Sequence, residues 1–432
     1  MASLAACRAR LMSGAGAYSF SLRRTSSSRS PRAGMVSTTI AELARPAAED
    51  PKTSTTTASI TDVQHLSSYN WIDAPEPTIV VPGAPRLWSP PRDHQRVPKD
   101  SGRVYANQNA ARHPDSPLEP LFRALYIENP SFDISSVDLV TDRNSIRKLL
   151  SFINPMLAKN GLEPFIINVE VTKNTAIFCR TGTDAVQFIG PNDFVGYGKE
   201  FEKAFTISEV ENSTGYHRII SYRFGDIKLM VRYETDGYIG LTSKAPNRST
   251  RVKNDNQSEM TVPMTLPSLE RRNHAASVGS KLVIKKDGKA VPKDSILEIK
   301  TRVFHKPIDL QEVLPQLWVS QTLNLVRASH NYGLFERPKV EGITDEIREW
   351  EDSHQRDLKN LVTLIKKIID VVKKSDGSAV VQYDNAIDRL LVSKADGRKM
   401  LPDDLYLKFE SGKPMSGAQE AHSNHNQRRL NN

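Results

Sequence analysis

Residues 227–239 read IKLMVRYETDGYI, and residues 295–304 read SILEIKTRVF. Both runs favour extended chain, and the first follows 217–224 (HRIISYRF) across Gly225-Asp226, a turn between two predicted strands. Along a strand, side chains two residues apart point to the same face, roughly 7 Å from each other. Glu234 and Asp236 are therefore expected to share one face, and Glu298 and Lys300 another. If the two strands are neighbours, three carboxylates and one ammonium meet in a small area. Such a cluster demands a compensating cation, and hard oxygen donors select Mg2+ or Mn2+. About seven acid–x–base triplets arise by chance in a chain of this composition, so the weight lies in their setting.

The setting is mixed. Residues 165–171 (FIINVEV) and 175–180 (TAIFCR) alternate around Thr172-Lys173-Asn174 and predict a hairpin. A short helix is predicted over 117–127, a strand, turn and helix over 137–152, and a helix carrying Phe201, Ala204 and Phe205. Downstream, helices are expected over 316–330 and 345–374. The second has Leu358, Leu361, Val362, Ile365, Ile368, Ile369 and Val372 at three- and four-residue spacing, with Asp345 and Glu346 at its start and Lys373, Lys374 and Gly377 at its end. The expected fold class is α+β, a mixed central sheet flanked by helices with a long C-terminal helix. Its order of helix, strands, acid strand, E-x-K strand and helix is the layout of the PD-(D/E)XK nuclease core.

The rest of the chain sets limits. Cys7 and Cys179, the two cysteines, exclude a disulfide framework, a four-cysteine zinc site and an iron–sulfur cluster. No uncharged apolar run approaches the roughly 18 residues of a membrane span, so a soluble chain is expected. The 59 basic against 50 acidic residues give +9, a mild bias toward acidic partners such as nucleic acid. Residues 1–66 read as a disordered leader and linker. Arg8, Arg10, Arg23, Arg24, Arg29 and Arg32 precede the first acid, Glu42, which suits a mitochondrial transit segment or an unaddressed basic tail. One nuclease-like domain is expected over 67–410, starting near Tyr69-Asn70-Trp71. Within it, 75–98 holds seven prolines and reads as an extended arm, and 241–290, with ten Lys/Arg against four Asp/Glu, reads as a basic excursion. Residues 411–432 read as a disordered tail.

Several segments, in order, resemble the decapping exoribonuclease (DXO-type) family, which clips abnormal or incomplete 5′ ends from RNA. Leu139-Val140-Thr141-Asp142-Arg143 is similar to its V-T-W-R-G segment, and Phe194 to Glu202 to its Y-x-G-Y-x-F-E stretch. Tyr233-Glu234-Thr235-Asp236 stands where the family has G-E-V-D, Leu297-Glu298-Ile299-Lys300-Thr301 at E-L-K-T, and Trp318-Val319-Ser320-Gln321-Thr322 at W-x-Q-S. The likeness covers about residues 137–335. Asp142 and Asn144 depart from the pattern around Arg143, Tyr233 replaces a glycine, and 61 residues separate Asp236 from Glu298 where the family has far fewer.

The resemblance implies that Glu202, Glu234, Asp236 and Glu298 hold one or two Mg2+ or Mn2+ ions for hydrolysis at phosphorus. It also implies that Lys300 positions or activates water and that Gln321 completes the site. Arg143, with Arg147 and Lys148 on the following turn, would meet RNA phosphates. Structural ion pairing with Asp142 or Asp138 is the competing role for Arg143. The implied function is a metal-dependent hydrolase of phosphodiester or pyrophosphate bonds at RNA 5′ ends; the alternative is an RNA-binding scaffold that kept the fold without turnover. Family members can work beside a 5′→3′ exoribonuclease, and the resemblance suggests the nucleus or cytoplasm where the leader suggests the mitochondrion. Fungal sequences of this kind often carry the label geranylgeranyl pyrophosphate synthetase. That chemistry needs two D-D-x-x-D stretches on an all-helical fold; here Asp403-Asp404 meets Leu407 at the third position, and the centre is β-rich.

Overall fold

The computed structural model describes residues 38–46, 57–158, 161–181, 185–240, 274–275 and 280–410. Twelve strands form one mixed sheet. At its centre the acid strand Ile227–Glu234 runs parallel to Leu139–Asp142 and antiparallel to Ser213–Phe224. The hairpin Phe165–Thr172/Thr175–Thr181 extends it on one side, and Ile60–Ile72 with Thr78–Gly83 on the other. Lys173 turns the hairpin with a left-handed backbone.

Central strands are apolar on both faces because both are covered. Leu139, Leu229 and Val231 point into a core shared with helices Arg143–Ile153, Leu314–Ser320, Thr344–Ser353 and Gln355–Lys374. Val140 and Met230 point the other way, against helices Glu119–Glu128 and Asp403–Glu410. A second sheet of eight strands is built around the parallel pair Ile296–Val303 and Asn324–Asn331. Helix Gly198–Phe205 covers it, packing Phe201 and Phe205 onto Leu297 and Ile299.

The α+β expectation is met, with adjustments. Thr39–Leu43 pairs with Arg389–Lys394, and Ile60–Ile72 is a long interior strand, so the expected disorder of residues 1–66 does not extend to 39–43 or 60–66. The proline-rich arm contains Thr78–Gly83, hydrogen-bonded on both sides, with Pro82 falling near its end. Of the basic excursion, 241–273 lies outside the described residues. Val283–Gly288, however, is a strand parallel to Thr78–Gly83. The helix expected over 316–330 stops at Ser320, where Gln321 adopts φ 50° and the Thr322 N–H closes on Leu317 O at 3.1 Å. The chain resumes as a strand, fixed by the Asn324 amide donating to Asp294 O and Ile296 O at 2.8 and 2.9 Å.

The long amphipathic helix runs Gln355–Lys374, separated from Thr344–Ser353 at His354, whose ring stacks on Trp350. It is not C-terminal: a hairpin, Ser378–Asp384/Arg389–Lys394, and the helix Asp403–Glu410 follow it. The tail beyond 410 and the leader through 37 lie outside the described residues. No described helix is long and apolar enough to cross a membrane.

Candidate active site

Glu234 ends the acid strand. The Thr235 N–H bonds to Tyr216 O at 3.0 Å, and the chain then leaves the large sheet, with Gly237 and Tyr238 pairing antiparallel with Leu297 and Ile296 of the smaller one. The two acidic stretches are therefore not neighbouring strands of one sheet, as the sequence pattern suggested. Glu234 belongs to one sheet, Glu298 and Lys300 to the other, and Asp236 to the crossover between them. Asp236 is fixed there by its Oδ2, which accepts the Ile299 N–H at 2.8 Å.

The crossover still brings the charges together. Glu298 is 2% exposed and accepts hydrogen bonds from Lys300 Nζ, Gln316 Nε2 and Arg143, the last at 3.2 Å. Burial alone would raise its pKa, but Lys300 and Arg143 hold it down at about 2. Asp236 goes the other way: burial first, then the charges of Glu298 and Glu202, push its carboxyl well above the usual range. Glu202 is raised by burial and by Glu234, against the opposing pull of Lys199 at 3.4 Å. Lys199 is itself raised, chiefly by Glu202 and against burial, with Glu234 and Asp236 adding to the effect. Lys300 is raised because Glu298 and Asp236 outweigh its desolvation.

A cavity of about 280 Å3 opens beside this group, lined by Glu202, Glu234 and Asp236 together with Lys199, Lys203, Arg86 and Arg103. A smaller one, about 90 Å3, adjoins it through Gln108 and Glu234 and is lined by Arg143, Arg180 and Arg232. Gly215 leaves room where the two meet. A Cβ there would come 2.3 Å from Gln108 Oε1 and 3.1 Å from Glu234 Oε1.

Glu202, Glu234, Asp236, Glu298 and Lys300 converge. Arg143 opens the Arg143–Ile153 helix directly after its strand and is committed to Glu298, with its guanidinium 5.6 Å from the centroid of the Tyr233 ring. Neither expected carboxylate pairs with it. Asp142 binds the buried Arg232 at 2.7 Å, and Asp138 accepts the Lys228 N–H. Arg147 turns inward, its pKa lowered to about 10 by burial and by Arg143, and bonds to Asn144 at 3.3 Å. Lys148 faces out and pairs with Glu163, away from the cavities.

Gln321 is not at the site. Its amide donates to Trp318 O within its own turn, and the amide at Glu298 belongs to Gln316, five residues earlier. Leu314–Ser320 is a buried helix, so the face toward Glu298 is set by its packing angle, which spacing does not reveal. Lys199, Arg86 and Arg103 were likewise missed; Lys199 alone carried a signal, one turn before Glu202 on the same predicted helix. Asp403 and Asp404, the start of the incomplete D-D-x-x-D stretch, pair with Lys399 and Arg123.

As they stand, Glu202 is paired with Lys199, and Glu298 with Lys300 and Arg143. Among the described residues no three His, Cys, Asp or Glu side chains form a group that could hold a metal ion. The donor chemistry fits one, since Glu202, Glu234 and Asp236 bring hard carboxylate oxygens to one cavity wall.

The fold is similar to that of Rai1, in line with the decapping resemblance. Rai1 of S. pombe in complex with 3′-FADP matches 82% of this chain and 99% of its own, with a TM-score of 0.50 at 12% identity. Rai1 of Scheffersomyces stipitis in complex with (3′-NADP)+ and calcium ion matches 82% and 96%, with a TM-score of 0.50 at 13% identity. No curated protein is similar to the chain at a significant level, and the geranylgeranyl label gains no support. Residues 44–409 match the family described as Domain of unknown function (DUF8563), and the chain belongs to that family.

Proposed function

We propose that the chain is a divalent-cation-dependent hydrolase of phosphodiester or pyrophosphate bonds at RNA 5′ ends, on a PD-(D/E)XK-like core. The observation that carries this reading is the meeting of Glu202, Glu234, Asp236, Glu298 and Lys300, drawn from a helix, two sheets and a crossover, beside a cavity with Arg86, Arg103 and Lys203 on its wall. The Rai1 complexes support a nucleotide-type ligand, and the calcium ion in one of them supports a hard cation.

Glu202, Glu234, Asp236 and Glu298 would hold Mg2+ or Mn2+. When bound, such an ion supplies Lewis acidity at a phosphoryl oxygen and a water that ionises more readily. The chain's own groups do the rest. Arg86, Arg103 and Lys203 draw polyanionic RNA into the cavity. Lys300, held protonated by Glu298 and Asp236, offers positive charge to the phosphorane-like transition state and orients the attacking water. Arg143 and Gln316 keep Glu298 ionised and fixed in place.

Full-length protein incubated with Mn2+ and 5′-triphosphate or capped RNA should release 5′-end products, and Glu298→Gln should lower the rate by at least about 100-fold. The cationic clamp on Glu298 favours a second reading, an RNA-binding scaffold without turnover. Wild-type protein that binds the RNA and leaves it intact over hours would establish that reading and end the first. If activity is found, addition of a 5′→3′ exoribonuclease tests whether the two act together on one transcript.

A further inference from the structure

On the strand paired with the acid strand, Arg218 lies directly opposite Tyr233. It is 1% exposed. Its Nη1 donates to Val291 O at 3.2 Å, while Nε and Nη2 have no hydrogen-bond partner. Among the described residues no carboxylate pairs with it, in contrast to Arg232, which has Asp142. A buried guanidinium without an anion is costly, and folded chains normally neutralise one.

Arg218 sits at a cavity of about 50 Å3, also lined by His65, Tyr233, Lys293, Ser320 and Gln321. Both ring nitrogens of His65 lack partners. The space exceeds the roughly 10–15 Å3 needed for one water and suits several waters or one tetrahedral oxyanion. Exposed Lys293 stands at its mouth, and the left-handed turn at Gln321 forms one wall. None of these side chains lines the carboxylate cavity; Tyr233 also lines the smaller cavity beside it, with Arg143 over its ring.

We infer that Arg218, His65 and Lys293 form a binding site for a phosphate-class oxyanion, separate from the carboxylate cavity. The anion would accept from Arg218 Nε and Nη2 and pair with Lys293. The source is either free inorganic phosphate or a phosphate of a bound polynucleotide.

The test is thermal unfolding of the full chain in phosphate against chloride at matched ionic strength. Phosphate should raise the wild-type midpoint by more than about 3 °C at a saturating concentration. Lys293→Glu, a surface change, should cut the shift at least threefold. Arg218→Met should abolish it and, in chloride alone, should unfold no lower than wild type, because an unneutralised charge has been removed. An RNA oligonucleotide that erases the phosphate-dependent shift assigns the site to a backbone phosphate; an undiminished shift assigns it to the free ion. Equal wild-type midpoints in phosphate and chloride overturn the inference, and so does a phosphate shift that survives both substitutions. RNA hydrolysis does not enter these readouts, so failure here and failure of the hydrolase reading remain distinct.

Discussion

Glu298 is the side chain on which the most partners converge, and each partner has a separate effect. Lys300 and Arg143 set its charge, while Gln316 fills a remaining lone pair. Gln316→Leu should leave that buried oxygen short of a donor and cost about 1–3 kcal/mol, read as a lower urea midpoint, together with a fall in any hydrolytic rate. Gln321→Ala should leave the rate unchanged, since its amide serves only its own turn; an equal fall in both variants would put the wrong glutamine at the site. His65 gives a pH signature at the same scale. Burial, aided by Arg218, lowers its pKa to about 4 from an ordinary 6.5. As pH falls below 6.5 the unfolded chain takes up the proton first, so the contribution to stability is complete above 6.5 and is lost as pH drops through about 4. In phosphate-free buffer, His65→Phe should flatten the dependence of the unfolding midpoint on pH across that window.

Among the elements, the crossover after Glu234 matters most, because it carries Asp236 from one sheet to the other. Gly237 passes close under the Arg86 carbonyl, and a Cβ there would sit 2.9 Å from that oxygen, a backbone atom with little room to give. Gly237→Ala should push the crossover outward, cost about 1–3 kcal/mol, and loosen the Asp236 bond to Ile299. Hydrogen exchange at the Ile299 amide should accelerate, while the distant hairpin at 165–181 should keep its protection. The elements were unevenly readable in the sequence. The hairpin and the Gln355–Lys374 helix followed from periods of two and three to four. The strand Asn324–Asn331 did not, because Leu325, Val326 and Ala328 continue a helical spacing begun at Leu317 and only the left-handed Gln321 breaks it. Thr78–Gly83 was missed because a proline-rich stretch argues against a sheet interior, yet Pro82 falls near the end of the strand.

Across the whole molecule, the first and last described strands meet in one sheet. Thr39–Leu43 closes the edge at Arg389–Lys394, burying Leu43, while Arg45 reaches the Phe152 carbonyl and Asp388. A protein beginning at Thr57 should lose that edge and unfold about 3 °C or more below the full chain. Its RNA binding should be unchanged, because none of the cavity residues comes from the removed segment; loss of binding would tie the edge strand to function.

The sequence by itself determined the mixed strand-and-helix character, the central strands, the long amphipathic helix and the acidic and lysine side chains that meet. The elements and the Glu234, Asp236, Glu298 and Lys300 set follow from local periodicity and from the few residue types able to do cation chemistry, and Glu202 from the family resemblance. Tertiary structure alone decided that Glu234 and Glu298 lie in different sheets, that Gln316 rather than Gln321 reaches Glu298, and that Arg143 is bound to a carboxylate. Those outcomes depend on how two sheets and a buried helix pack across long separations in sequence, and a one-dimensional pattern carries no record of a packing angle.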